Sequence, residues 1–357
     1  MTSFCPASFA IPGDITTLTG GYIYERRLLE SLRDLGHPVR HVQLPGGFPE
    51  PTPAETRATV KALRALPLDQ PIIVDGLVFG AMDSDGLASV PAPLIAMLHH
   101  PLALESGLAP VRAQALFESE YRNLRRAAHV LVPSPHTRAL LIRDYDVAPT
   151  DITVVRPGVE PPRIAPAPVT PPLILSVGIL HPRKGHDVLI AALERLADLD
   201  WQAVIAGNPW DADHAAALTA QLAACPLSPR IRLAGRVSES ELQQLYADAF
   251  LFTLATRFEG YGIVFDEALL RGLPIVSTWV GAVPDTVPAD AGLLVPPEDP
   301  DALAAALRQV LTQPGCRSSL AAAATRAGTC LPAWPKSASL VSAILTRMTQ
   351  NSPGRCS

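Results

Sequence analysis

The stretch Arg257-Phe-Glu-Gly-Tyr-Gly-Ile-Val-Phe-Asp-Glu-Ala-Leu-Leu-Arg-Gly-Leu-Pro-Ile-Val276 reads as a turn, a helix and a strand in immediate succession. Gly260 and Gly262 remove side chains where the backbone must come close to something. The apolar positions Ile263, Val264, Phe265, Leu269 and Leu270 mark a helix that opens near Gly262 and packs inward. Its first residues offer unpaired N–H groups and the positive end of a dipole, which suits a phosphate. Glu259 stays on the loop, whereas Glu267 lies about a turn and a half into the helix. Each carboxylate accepts two hydroxyl donors at once, so a sugar ring or a ribose diol is a natural partner. A plain strand-to-helix connection also uses glycines, and the surrounding segments must decide between the two readings.

Outward from this stretch, short β-rich runs alternate with helical ones over the whole chain. SFAI precedes a helix near Tyr22–Leu35, VRHVQL precedes one near Ala54–Leu66, and PIIVDG, PLIAML and AHVLV follow. A helix near His136–Tyr145 and the strand ITVV close this series. The proline-rich segment Arg156–Pro172 cannot be the interior of a helix or a strand, and it reads as a linker. Beyond it the rhythm restarts with LILSVG, WQAVIAG, RIRLAG, AFLFTLA, LPIVST and GLLV. Such alternation predicts parallel sheets covered by helices on both faces. The expected architecture is α/β, with two doubly wound domains over 1–162 and 163–332 and a ligand cleft between the carboxyl ends of their sheets. A last helical stretch near Trp334–Thr349 has no strand after it, and 333–357 is expected to return toward the first domain, burying Leu340, Val341, Ile344 and Leu345.

Composition narrows the classes. At 357 residues, 48% of them hydrophobic, the chain fits two domains of about 150 to 180 residues with sizeable cores. Apolar runs such as PLIAML fall short of the roughly 20 residues that a bilayer crossing needs. The opening MTSFCPASFAIPGD has no basic n-region and no long apolar stretch, so it does not read as a secretory signal, and a cytoplasmic location is expected. Five cysteines, Cys5, Cys225, Cys316, Cys330 and Cys356, form no CxxC pair and read as reduced thiols rather than a disulfide framework or zinc site. A formal charge of −5 gives no footprint for nucleic acid. Arg122, Arg125 and Arg126 cluster on a helix, where a solvated face is favoured over a membrane-surface or acceptor-phosphate patch.

Ser176-Val-Gly-Ile-Leu-His-Pro-Arg-Lys-Gly185 supplies a second set of candidate groups. Gly178 ends a strand where loops face a ligand, and Arg183 with Lys184 place two cations ahead of an amphipathic helix built on Val188, Leu189, Ala192 and Leu196. Those cations can neutralise a diphosphate, although an Arg-Lys pair elsewhere is usually a solvated turn. In Gly235-Arg-Val-Ser238, Ser238 is a candidate N-cap with Glu241 completing a capping box. The loop carrying Val237 is a candidate contact for a base. In the first half, Gly20 and Gly21 precede a helix, and His99 and His100 follow the strand PLIAML at its carboxyl end, with Glu105 close behind.

Taken in order, SVGILHPRKGHDVLI, GRVSESELQQLYADA, RFEGYGIVFDEALLRGLPIV and GLLVPPEDPDALAAAL resemble the nucleotide-binding domain of family 4 retaining glycosyltransferases of the GT-B fold, over roughly Leu173–Leu311. The resemblance implies that Glu267 holds ribose hydroxyls, that Glu259 contacts the transferred sugar, and that Gly260, Tyr261 and Gly262 hold the diphosphate with Arg183 and Lys184. It implies also that Gly20 and Gly21 approach the donor, and that His99 supports the reacting centre with His100 beside it. Glu105, in the ALESGL stretch just after the histidines, is itself a candidate for acceptor contact or base function. Many members carry an Arg where this chain has Ile179, which shifts phosphate neutralisation onto Arg183 and Lys184.

The implied reaction moves a sugar from a nucleoside-diphosphate sugar to a glycan, lipid or small-molecule acceptor hydroxyl with retention. No metal or other cofactor is expected, since no DxD sits in the candidate site. Peripheral contact with a membrane and the oligomeric state stay open. Alternatives are an epimerase of the same architecture and a non-catalytic nucleotide-sugar-binding protein. A dinucleotide-dependent dehydrogenase is disfavoured, because no GxGxxG follows a first strand.

Overall fold

The computed structural model describes residues 4–350, so Cys356 lies outside the described residues. The chain divides after Gly158 and again after Leu331, and the described residues 332–350 rejoin the first unit.

The first unit runs through β1 (Ala7–Pro12), α1 (Gly20–Asp34), β2 (Val39–Leu44), α2 (Pro53–Arg64), β3 (Ile72–Asp75), α3 (Gly76–Ala81), α4 (Ser84–Ala88) and β4 (Leu94–Met97). It continues with α5 (Pro110–Leu124), β5 (His129–Val132), α6 (Pro135–Asp144) and β6 (Ile152–Val154). The sheet is parallel in the order β2-β1-β3-β4-β5-β6. β1, β3, β4 and β5 are buried along their whole length, which is why they read as largely apolar runs rather than alternating ones. Helix starts follow local chemistry. Thr52 and Glu55 close a reciprocal capping box on α2, and the Ser134 side chain accepts from Thr137 N on α6.

The second unit holds β7 (Leu173–Val177), α7 (His186–Glu194), β8 (Gln202–Ala206), α8 (Ala212–Ala224), β9 (Ile231–Gly235), α9 (Glu239–Asp248) and β10 (Ala249–Leu254). α10 (Ile263–Leu269), β11 (Ile275–Thr278), α11 (Val283–Thr286), β12 (Gly292–Val295), α12 (Pro300–Thr312) and α13 (Pro314–Thr329) complete it. Its parallel sheet is ordered β12-β11-β10-β7-β8-β9. Side chains alternate between two cores, as the period of a strand requires. Ile174, Ala203 and Ile205 join one cluster; Leu173, Leu175, Val204 and Ala206 join the other. Each fully buried Leu or Ile here contributes about 1.5 to 3 kcal/mol relative to an exposed one.

The terminal helix α14 (Trp334–Gln350) packs on α1. Val341, Ile344 and Leu345 are buried, but Leu340 is 38% exposed, a correction to the expectation that all four pack inward. Ser337 donates to the Arg156 carbonyl at 2.6 Å, and His37 lies 2.7 Å from the Ser342 hydroxyl. A second correction concerns Ser238. It caps α9 by accepting from Glu241 N at 3.2 Å, but the Glu241 carboxylate pairs with Arg232 and no reciprocal box forms. Among the described residues no helix is long and apolar enough to cross a membrane.

Candidate functional site

In a doubly wound sheet, ligands meet the carboxyl ends of the strands where the chain order reverses. The second unit reverses between β7 and β10, and the sequence-predicted residues converge at those two strand ends. After β7 the chain passes Gly178, whose amide donates to the Ala206 carbonyl, and enters a 3-10 turn over Pro182–Lys184. His181 caps this turn, its Nδ1 accepting from Arg183 N at 3.2 Å. Gly185 follows with φ +63°, and a Cβ there would collide with the Ala255 carbonyl at the end of β10. A Cβ on Gly178 would press 3.3 Å from the Lys184 side chain, so the glycine leaves room for that lysine to lie across the strand end.

From β10 the chain runs through Thr256 to Gly262, which takes φ +89° at the start of α10. The two loops are tied together. Lys184 Nζ is 2.5 Å from Glu259 Oε1, Arg183 is 3.7 Å from Glu259 Oε2, and Arg183 donates to the Phe258 carbonyl. Glu259 is only 4% exposed. Burial pushes its carboxyl up, but Lys184 and Arg183 outweigh that and hold it below the usual range. From the other side, Gly281 abuts the Glu259 backbone, and Ala282 N donates to the Glu259 carbonyl at 2.8 Å.

Glu267 sits on α10 beside Tyr246. Burial raises its carboxyl, opposed by the nearby Tyr246 hydroxyl, which donates to the Val264 carbonyl at 3.3 Å, and by Arg271. Arg271 lies over the Tyr246 ring and donates to Gln243 and to the Glu267 carbonyl oxygen, so this corner is held from several sides. Tyr261 is buried, with its hydroxyl 2.5 Å from Asp266, so its contribution to a ligand is through backbone. Val237 is partly buried against the core on the loop that precedes α9.

Arg257 escaped the sequence reading. It forms two parallel bonds to Asp187 at 2.9 and 2.7 Å, binds Glu298, and donates to the Pro182 carbonyl, while its amide donates to the Arg183 carbonyl at 2.7 Å. A planar guanidinium is the residue type for such a bidentate clamp. The signal was present in an arginine two residues ahead of Glu259 and an acid two beyond Gly185.

The first unit reverses between β1 and β3, and another constellation gathers there. His99, just past β4, places Nε2 3.4 Å from Glu25 Oε1 and 3.9 Å from Asp75 Oδ2. Asp75 is the last residue of β3, and Glu25 lies one turn into α1. Gly21 lets the imidazole come close, since a Cβ there would stand 3.3 Å from its Cδ2; Gly20 faces open space. Tyr24 meets the ring edge-on at 5.6 Å. Burial lowers the His99 pKa against the pull of Asp75, and burial raises the Glu25 and Asp75 carboxyls. These three residues form a group whose potential ligand atoms lie within 4.8 Å of one another. His100 instead pairs with Glu105 at 3.3 Å. Glu25 and Asp75 went unread in the sequence. Glu25 occupies the apolar stripe of α1 with Leu28, Leu29 and Leu32, and a carboxylate in such a stripe was the available signal.

Residues 161–327 match the family described as Glycosyl transferases group 1, and residues 19–163 match Glycosyltransferase Family 4. The chain belongs to the family 4, group 1 glycosyltransferases. The D-inositol 3-phosphate glycosyltransferase of Kineococcus radiotolerans is 29% identical to this glycosyltransferase-family chain over 253 residues, 63% of this chain and 58% of that protein. The MMP alpha-(1->4)-mannosyltransferase of Mycolicibacterium hassiacum is 28% identical over 289 residues, 75% of this chain and 68% of that one. Thus the chain spans somewhat more than half to two thirds of the length of these relatives. Among solved structures, sucrose-phosphate synthase from Thermosynechococcus elongatus superposes with TM-score 0.84 at 21% identity, covering 98% of this chain and all of that one. Anabaena HepE, solved with UDP and glucose, gives 0.77 at 16%, covering 96% of this chain and all of that one. The family 4 chain therefore has the two-domain α/β architecture of GT-B proteins.

Proposed function

We propose that the chain is a retaining glycosyltransferase that moves a sugar from a nucleoside-diphosphate sugar to an acceptor hydroxyl without a metal ion. The observation that carries this reading is the meeting of Arg183, Lys184 and Glu259 beside the Gly260–Gly262 turn. Two cations and one carboxylate leave a single positive charge in surplus, 2 − 1 = +1, against the two negative charges of a sugar diphosphate ester. When the donor binds, its phosphates compete for Lys184 and Arg183, and the lone pairs of Glu259 turn to hydroxyls of the transferred sugar. Glu267 takes the ribose diol, and the Val237 loop lies toward the base. The relatives' names and the UDP and glucose held by HepE support this donor class.

In the reaction, the bond from the anomeric carbon to the phosphate oxygen breaks and a bond to the acceptor oxygen forms on the same face. The acceptor proton passes to the departing diphosphate. Negative charge therefore grows on the leaving group, where fixed cations and backbone N–H groups stabilise it most. No carboxylate nucleophile and no Lewis acid is needed for that balance. Acceptor recognition is assigned to the first unit, with His100 and Glu105 as contacts, and the protein is placed in the cytoplasm or at the inner membrane face.

Calorimetry with UDP, GDP and ADP identifies the base. Incubation of the preferred nucleotide's sugars with candidate acceptors in excess EDTA then tests transfer, and proton NMR of the product reads the anomeric configuration. Absence of nucleoside-diphosphate binding, inversion, or loss of transfer on chelation would each overturn the corresponding part of the proposal.

A further inference from the structure

Glu25 and Asp75 are buried to 1% and 3% exposure, their carboxylate oxygens lie within 4.8 Å of each other, and both are in contact with His99. Two buried carboxyl groups this close do not both ionise, and the pair keeps a proton. Asp75 Oδ1 accepts from Leu77 N at 2.8 Å, which leaves Oδ2 as the oxygen to carry the proton. Glu25 is then the carboxylate of the pair, and its Oε1 is the oxygen nearest His99 Nε2. A bare nitrogen lone pair aimed at a buried carboxylate oxygen is repulsive, whereas an N–H is attractive.

We infer that Glu25, backed by Asp75, locks His99 in the Nε2–H tautomer, so that Nδ1 is presented as a hydrogen-bond acceptor to a substrate hydroxyl. Among the described residues Nδ1 has no hydrogen-bond partner, and the ring keeps partial exposure, with 23% of its side chain accessible. Burial of the ring disfavours the imidazolium that would abolish this acceptor. The remaining titratable groups facing the pair are occupied: Tyr22 donates to the Pro12 carbonyl and Tyr24 to the Val155 carbonyl. Glu25 and Asp75 are thus positioning residues. That the partner of Nδ1 is a sugar or acceptor hydroxyl rests on the glycosyl-transfer reading; the tautomer itself does not.

The test is two-bond proton–nitrogen NMR on histidine-labelled protein at pH 8, above the value of about 7 to which burial raises Glu25, with the His99 resonances assigned by their loss in His99→Asn. The expected spectrum shows a protonated Nε2 and an unprotonated Nδ1. Glu25→Gln, whose carbonyl can accept from Nε2–H while its amide donates to Asp75, keeps that pattern. Glu25→Met removes the acceptor, mixes the tautomers and lowers kcat/KM roughly tenfold to a hundredfold, the usual cost of losing a partner that orients a functional histidine. An Nδ1–H tautomer or an imidazolium in the unaltered protein overturns the inference, as does an unchanged tautomer in Glu25→Met. Should Glu25→Met fail to fold, the unaltered protein decides alone. Calorimetry with nucleoside diphosphates on the same sample separates the two ideas: a correct tautomer without nucleotide binding refutes glycosyl transfer and leaves the tautomer standing.

Discussion

Lys184 Nζ lies 2.5 Å from Glu259 Oε1, so the cation assigned to the diphosphate and the carboxylate assigned to the sugar are each other's partners in the free protein. Neither side chain has to be solvated while it waits, and the donor replaces one ionic contact by others rather than drying bare charges.

Replacing Lys184 by Met should weaken nucleoside-diphosphate binding and transfer together, removing roughly 3 to 4 kcal/mol of transition-state stabilisation. It also leaves Glu259 buried with only Arg183 nearby, a loss of about 3 kcal/mol in folding stability. The pH dependence gives the sign. Because the Glu259 pKa is depressed by the fold, its stabilising contribution is present above the ordinary value of 4.5 and is lost as pH falls through the folded value. Acid melting curves of Lys184→Met should therefore fall less steeply below that pH than those of the unaltered protein.

Arg257→Ala should lower nucleotide affinity roughly tenfold, about 1.4 kcal/mol, although its side chain is committed to protein partners. Its effect runs through the Arg183–Lys184 turn, so the double variant with Lys184→Ala should bind little worse than Lys184→Ala alone. Additive losses in the cycle would show that Arg257 acts independently.

Glu267→Gln is expected to reduce affinity for a nucleoside diphosphate about tenfold while leaving inorganic pyrophosphate binding intact, since a ribose diol donates to a carboxylate more strongly than to an amide. Equal loss for both ligands, read by calorimetry, would place Glu267 on the phosphates instead.

Asp75→Asn should stabilise the protein at pH 8 and do little at acid pH. The Asp75 pKa is raised well above its ordinary 3.8, so the folded chain retains a proton that the unfolded chain releases as pH rises past that value. Stability is lost through the interval up to the folded pKa, and an amide has no such proton to keep. Melting temperatures of both proteins across pH 4 to 8 check the divergence.

Most of the strands were readable because they are apolar runs of the right length, and buried parallel strands such as β7 and β8 show little polar alternation. Arg183, Lys184 and Glu259 were readable because glycines at 178, 260 and 262 announce loops where the backbone must bend or approach a neighbour. The Glu25–Asp75–His99 group was not. Its members are 50 and 24 residues apart, and their meeting depends on α1, β3 and β4 converging, which no local pattern encodes. Likewise Arg257 looks like an ordinary turn cation until Asp187 and Glu298 are folded beside it. Leu340 shows the converse error, since hydropathy assigns it to the core but the helix phase puts it at the surface.

Gly158 packs against the backbone of Trp334, and Ser337 bonds to the carbonyl of Arg156. The first unit is consequently finished by residues that leave the ribosome only after some 170 intervening ones have emerged. The second unit, contiguous in sequence, can reach its final form while α1 still lacks the helix that covers it, so the half translated first is the half that matures last.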